Sequence, residues 1–200
     1  MRLMRLVPIY QTPNTSKKHP QHKIYSYLLR GLTIDRPNQV WCVDITYIPM
    51  RRGFLYLVAI MDWYSRKVLS WQLSNSMEAD FCVEALKEAI AKYGKPEIMN
   101  SDQGSQFNGF EWINALKEVD VKISMDGKGR WIDNRMIERL WRSLKYECIY
   151  LNAFETGSET RAGIEKWMAY YNAERPYSTH GILTPNEAYD RKIEPMRSAA

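Results

Sequence analysis

From residue 41 onward the chain sorts into apolar runs separated by short polar breaks. VWCVDITYI, FLYLVAIMDW and KVLSWQLS are rich in β-branched and aromatic residues, the composition of buried strands. RRG at 51–53 and YSR at 64–66 are short enough for tight turns, so these runs predict an antiparallel meander. SMEADFCVEALKEAIAKYG then changes period. Phe81, Ala85, Ile90 and Tyr93 are broadly helix-spaced, Asn75 or Ser76 can cap the start, and Gly94-Lys95-Pro96 stops it. PEIMNSD predicts a short fourth strand, FNGFEWINALKEV a second helix and VKISM a fifth strand. DGKGRWIDN reads as a mobile loop. A third long helix is expected from about Asn134 to Tyr150, a fourth over about 158–173, and a short last one in TPNEAYDR. The order β-β-β-α-β-α-β-α-α predicts an α/β fold, a mixed sheet with helices.

Charge changes the picture at the N-terminus. The chain carries a net +5, but residues 1–40 hold seven Lys/Arg and one acid while the remainder is nearly neutral. Residues 1–36 therefore read as a basic arm or linker, 37–190 as the core and 191–200 as a tail. A basic arm is either a solvated tail or a nucleic-acid contact. No apolar run reaches the roughly 18 residues of a membrane span, and MRLMRLVPIY is too short and Pro-broken for a secretory signal. Cys42, Cys82 and Cys148 are odd in number and far apart, which fits a reducing cytoplasm and no disulfide framework. His19 and His22 form an HxxH with no cysteine pair at finger spacing, so no zinc site is expected.

Three acids stand out. Asp44 lies between Val43 and Ile45 inside the most apolar strand, where a charge is costly unless paired, protonated or metal-bound; pointing outward from an edge strand is the alternative. Asp102 opens SDQGSQF at the end of the fourth strand, where open α/β sheets place ligands, although turn aspartates are common. In the third helix Ile137, Leu140 or Trp141, Leu144 and Cys148 form an apolar stripe, while Glu138, Arg142 and Lys145 share another face. Glu138 and Arg142 can form a surface ion pair, worth about 0.2–0.5 kcal/mol, or an acid beside phosphate-binding cations. Segment 128–145 carries six Lys/Arg against two acids, which suits a polyanion. Asp62, Asp126 and Asp133 read as structural, Asp62 capping the turn into Tyr64-Ser65 and Asp133-Asn134 capping the third helix.

Asp44, Asp102 in its DxGxQF loop, and Glu138 after 35 intervening residues resemble the D,D-35-E signature of retroviral-type integrases. More narrowly, VWCVDITYIP, LVAIMDWYSRKVLSW, NSDQGSQF, SMDGKGRWIDNRMIERLWRSLKYE and YYNAERPYSTHGILTP resemble bacterial insertion-sequence transposases of the two-reading-frame group. The resemblance runs from about residue 37 to 190. It implies an RNase H-like fold, a mixed five-stranded sheet flanked by helices. Tyr177 stands where the family often has His, and Met1 falls where the tail of an upstream helix-turn-helix region is expected.

The resemblance implies Asp44, Asp102 and Glu138 as catalytic metal ligands. Three converging carboxylates need a counter-charge, and hard oxygen donors favour Mg²⁺ or Mn²⁺, two ions in all. The implied reaction is cleavage at element ends and strand transfer into target DNA by in-line phosphoryl displacement. Arg142, Lys145, Asn134, Arg139, Lys128 and Arg130 are the expected DNA contacts, with Gln106 and Gly104 supporting the Asp102 loop. Expected partners are double-stranded DNA, further copies on paired ends and the upstream reading-frame product. No membrane is expected, and the location is the bacterial cytoplasm at the nucleoid. The competing readings are an RNase H-like nuclease, a DNA-binding transposase fragment without catalysis, and a glycoside hydrolase, which the basic helix disfavours.

Overall fold

A computed structural model describes residues 24–127, 135–177 and 181–191. His19, His22, Lys128, Arg130, Asp133, Asn134, most of the glycine loop and the tail from 192 onward lie outside the described residues. The three apolar runs form β1 (Val40–Pro49), β2 (Phe54–Asp62) and β3 (Val68–Ser74), an antiparallel meander as expected. β4 (Ile98–Ser101) joins β1 in parallel and β5 (Lys122–Met125) joins β4 in parallel. The sheet is therefore mixed and five-stranded, in the order β3-β2-β1-β4-β5.

Helices cover both faces. α1 (Asp80–Tyr93) and α2 (Phe110–Glu118) lie on one. On the other lie α3 (Arg135–Leu144), a π-helical turn (Lys145–Ile149), the single turn α4 (Tyr150–Asn152) and α5 (Gly157–Ala173). α6 (Pro185–Asp190) closes the described chain with Thr184 and Glu187 in a reciprocal capping box. Because strand side chains alternate, β1 feeds two cores. Trp41 and Val43 pack with Phe81, Leu86, Trp112 and Leu116. Cys42 and Ile48 pack with Ile137, Leu140, Leu144, Ile164 and Trp167. Each large side chain fully buried in this way contributes about 1.5–3 kcal/mol.

Residues 24–36, read as arm or linker, pack on the body. Leu29 is buried against Val40 and Ile98, the Leu28 amide donates to Ser124 Oγ at 3.0 Å, and Arg36 pairs with Glu97 at 2.7 Å. Tyr27 and Ile34 join Leu29 over Val40 and Ile98, while Tyr25 packs against the α1/α2-side core.

Two expectations about helices are corrected. Neither Asn75 nor Ser76 caps α1, which starts at Asp80 with no side-chain cap. Ser74 Oγ instead accepts the Ser76 amide at 3.1 Å, so the serine turn is complete before the helix begins. The third helix is not α-helical to Tyr150: the Tyr150 amide reaches the Lys145 carbonyl, widening one turn by a residue. Adjacent Cys148 and Ile149 thereby both reach the core. A 3–4 spacing of apolar residues does not reveal one such insertion.

Candidate active site

Neighbouring strands lead to the first two acids. β1 and β4 pair Val40 with Ile98, Trp41 with Met99 and Cys42 with Asn100; Asp44 lies two residues beyond that ladder in β1, Asp102 just past the end of β4, and the field of Asp102 reaches the Asp44 carboxyl. Asp44 faces the α3 side of the sheet, the side that Cys42 also takes. Asp44 is a β1 residue paired with Ala59, interior to the sheet, so the edge-strand alternative fails.

The Asp44 carboxylate is held by α3. Trp141 Nε1 donates to Asp44 Oδ2 at 2.8 Å. Burial nevertheless pushes the Asp44 pKa up to about 7, helped by the negative fields of Asp102 and Glu138 and opposed by the indole bond. The fields of Asp102 and Glu138 thus both reach the Asp44 carboxyl. Lys145, half-buried at the start of the π turn, has its pKa lowered by burial and drawn back up by Asp44. Among the described residues no three His, Cys, Asp or Glu side chains already stand at metal-ligand spacing.

Asp102 is shaped by its loop. Its Oδ1 accepts the Gly104 amide at 2.8 Å, while burial raises its pKa. A Cβ at Gly104 would lie 2.8 Å from that same oxygen, so the site accepts only glycine without displacing the acid. Gln106 Nε2 donates to the Met77 carbonyl at 3.2 Å, tying the loop to the connection before α1. Phe107, buried edge-on against Trp112 at 5.2 Å, anchors the loop from below; it was expected in helix α2, which begins only at Phe110.

Glu138 and Arg142 are exposed on α3, and among the described residues no ion pair joins them. Both line an open groove of about 670 Å³ with Arg135, Arg139, Tyr146 and Arg175. Arg139 stacks over the Tyr177 ring at 5.2 Å, and Arg175 neutralises Glu147. Asp62 is structural as expected: its carboxylate takes the Ser65 amide and hydroxyl at 2.7 Å and the Asn38 amide at 2.8 Å.

Sequence reasoning missed two features. Trp141 was assigned to the apolar stripe alone; its place three residues after Glu138, on the margin of that stripe, was the available signal. A buried polar chain was also missed, in which Ser124 donates to Asn100 at 2.8 Å and Asn100 to Asp126 at 2.9 Å. Gln103 adds a bond to the Asp126 carbonyl at 2.9 Å, linking β5 to the Asp102 loop. Small polar residues inside the apolar runs IMNS and KISM announce this network.

The donor set of three carboxylates beside a half-buried lysine fits a hard divalent cation, because burial and mutual repulsion leave Asp44 short of positive charge. Two family models, both described as the integrase core domain, match residues 34–130 and 119–185. The transposase for insertion sequence element IS904 of Lactococcus lactis is 32% identical, covering 93% of this chain and 77% of that one. Putative transposase InsK for IS150 and transposase InsF for IS3A, both of Escherichia coli, are 32% and 33% identical; the alignments cover 84% and 78% of this chain. The chain spans only 60% and 56% of those two relatives. Among solved structures, integrase in a simian T-cell lymphotropic virus intasome aligns at TM-score 0.70 and 20% identity, over 92% of this chain and 65% of that one. The HTLV-2 integrase catalytic core in complex with magnesium aligns at TM-score 0.59 and 20% identity, over 78% and 98%. These likenesses make the fold RNase H-like, as expected. No helix among the described residues is long and apolar enough to cross a membrane. By its matched domains and its relatives, the chain belongs to the insertion-sequence transposases built on an integrase catalytic core.

Proposed function

We propose that this chain carries out DNA transposition, cleaving strands at insertion-sequence ends and transferring them into target DNA. The observation that supports this reading is the Asp44 carboxyl, inside β1 and within the electrostatic reach of both Asp102 and Glu138. Asp44, Asp102 and Glu138 would hold Mg²⁺ or Mn²⁺, which when bound supplies Lewis acidity toward a phosphodiester and a more acidic attacking oxygen. The protein's share is placement. Trp141 fixes one oxygen of Asp44, the Gly104 amide fixes one of Asp102, and α3 carries Glu138, whose field reaches Asp44. Lys145 adds positive charge beside Asp44, and Arg135, Arg139 and Arg142 line a groove suited to DNA phosphates. Water as nucleophile would yield a nick and a DNA 3′-hydroxyl would yield joining, a phosphodiester 3′-oxygen leaving in each case.

Lys128, Arg130 and Asn134 complete the proposed DNA contacts. Further copies assembled on paired DNA ends, an upstream reading-frame product and a nucleoid location belong to the same proposal. The test is metal-dependent nicking and joining of a labelled DNA end by the full chain and by Glu138→Gln. Activity that disappears in the variant supports the reading. Equal activity in both removes Glu138 from the site, and nicking without joining favours the nuclease.

A further inference from the structure

We infer that a second anion site, a phosphate-binding cleft, lies around Arg66 at the end of the meander away from the acids. Arg66 follows β2, whose last residue Asp62 pairs with Trp41, three positions before Asp44; at about 3.3 Å per strand residue the two sites are roughly 10 Å apart along β1. The cleft has a volume of about 500 Å³ and is lined by Ile34, Trp63, Tyr64, Arg66, Leu183 and Arg191. Ala188 completes its wall.

Arg66 is the anomaly. Its residue is only 8% exposed, yet among the described residues no carboxylate lies within ion-pair distance of its guanidinium. Buried cations are ordinarily paired. Asp62, whose field reaches Arg66, is wholly buried and already accepts three hydrogen bonds from Ser65 and Asn38. One guanidinium nitrogen of Arg66 donates to the Trp63 carbonyl. None of the others is among the buried, unbonded atoms, so they reach the surface, and the cleft is the surface Arg66 lines.

The neighbouring lysine shows what accommodation without an acid looks like. Lys67, equally buried, lies over two rings, 4.9 Å from Tyr93 and 4.5 Å from Tyr189. Among the described residues no ring lies under the Arg66 guanidinium, although Cys42, Tyr171, Tyr177 and Asp62 are within its electrostatic reach. The Arg66 backbone is held at φ +68°, a left-handed conformation unfavourable for arginine, in the turn closed by its own amide on the Asp62 carbonyl at 2.9 Å. A position suited to glycine or asparagine instead presents a guanidinium. Arg191, exposed at the end of α6, supplies a second fork on the same cleft. Two planar, permanently charged donors around a concave space match a phosphate group better than a single carboxylate. A backbone phosphate of DNA and the phosphate of a free nucleotide share this chemistry.

The test uses the full chain without divalent metal. Thermal melting is followed with inorganic phosphate against sodium chloride at matched ionic strength, and binding of a labelled DNA duplex is titrated across salt. Phosphate at tenfold its dissociation constant should raise the wild-type midpoint by a few degrees. Arg191→Ala should lose that shift, as should Arg66→Lys, which keeps the charge but not the fork. If the occupant is DNA, Arg191→Ala also lowers the logarithmic salt slope by about one. A lost phosphate shift with an unchanged slope supports the cleft and assigns it to a free phosphate-bearing molecule. No phosphate effect on wild type together with unaltered DNA binding in Arg191→Ala overturns the inference. Arg191 is exposed, so that variant decides the matter even if Arg66→Lys fails to fold. None of these readouts requires strand cleavage, so failure here leaves the transposition reading standing.

Discussion

Replacing Trp141 with phenylalanine isolates one atom of the proposed site. The ring remains in the α3 core, where Trp141 is 6% exposed, but the N–H that donates to Asp44 Oδ2 is gone. A hydrogen bond to a charged group is worth about 1.5–3 kcal/mol, and one pKa unit corresponds to about 1.4 kcal/mol. The lower figure therefore moves Asp44 up by about one unit from its value of about 7. At pH 7 its ionised share falls from about one half to about one tenth, and cation affinity weakens about fivefold. At pH 9 both proteins are ionised and the gap nearly closes. Mn²⁺ titration followed by electron paramagnetic resonance at the two pH values reads this directly, without activity. A melting curve accompanies it, since the lost ring volume costs less than the 3–5 kcal/mol of truncation to alanine. Unchanged Mn²⁺ affinity at pH 7, or equal losses at pH 7 and 9, would refute the reasoning.

Gly104→Ala should cut nicking at least tenfold with little change in melting, because its Cβ occupies the space of Asp102 Oδ1; a fully active variant would show that the loop yields. Phe107→Ala should destabilise the fold by about 3–5 kcal/mol in denaturant, with the loop end of α2 losing hydrogen-exchange protection first. Arg142→Ala should weaken duplex binding and reduce the logarithmic salt slope by about one, and an unaltered slope removes Arg142 from the DNA contacts. The metal-free protein should lose stability as pH rises from 5 to 7.5. Asp44 is ordinarily 3.8 and about 7 when folded, so the folded state keeps a proton the unfolded chain has released, and Asp62 and Asp102 shift the same way. Glu88 and Glu187 are depressed and act in the opposite sense only near and below their ordinary value of 4.5. A melting midpoint that climbs through this window, or a slope untouched by Asp44→Asn, contradicts the assignment.

The strands were legible because burial on both faces leaves continuous apolar runs, and β1 to β3 occupy nearly the residues those runs mark. Asp44 was legible for the same reason, as a charge where the run forbids one. What spacing could not carry was partnership across distance. Trp141 and Asp44 are 97 residues apart, so nothing local distinguishes this indole from its neighbours in the stripe. The start of α1 was misread because serines that cap helices also close turns on themselves, and Ser74 does the latter. The segment before Arg36 looked loose because its contacts are single residues without a period: Leu28 through its amide, Leu29 through its side chain.

That last segment has a mechanical consequence. The Leu28 amide holds Ser124, Ser124 holds Asn100, and Asn100 immediately precedes Ser101 and Asp102 at the end of β4. Force applied to the chain ahead of residue 24 therefore has a short route to the strand that leads into Asp102, an acid of the proposed site. A truncation placed at residue 37, the expected start of the core, would uncover Val40 and Ile98 and cut that route. The point at which this polypeptide becomes regular and the point at which it becomes taut are different places, and only the second sets how short a working piece can be.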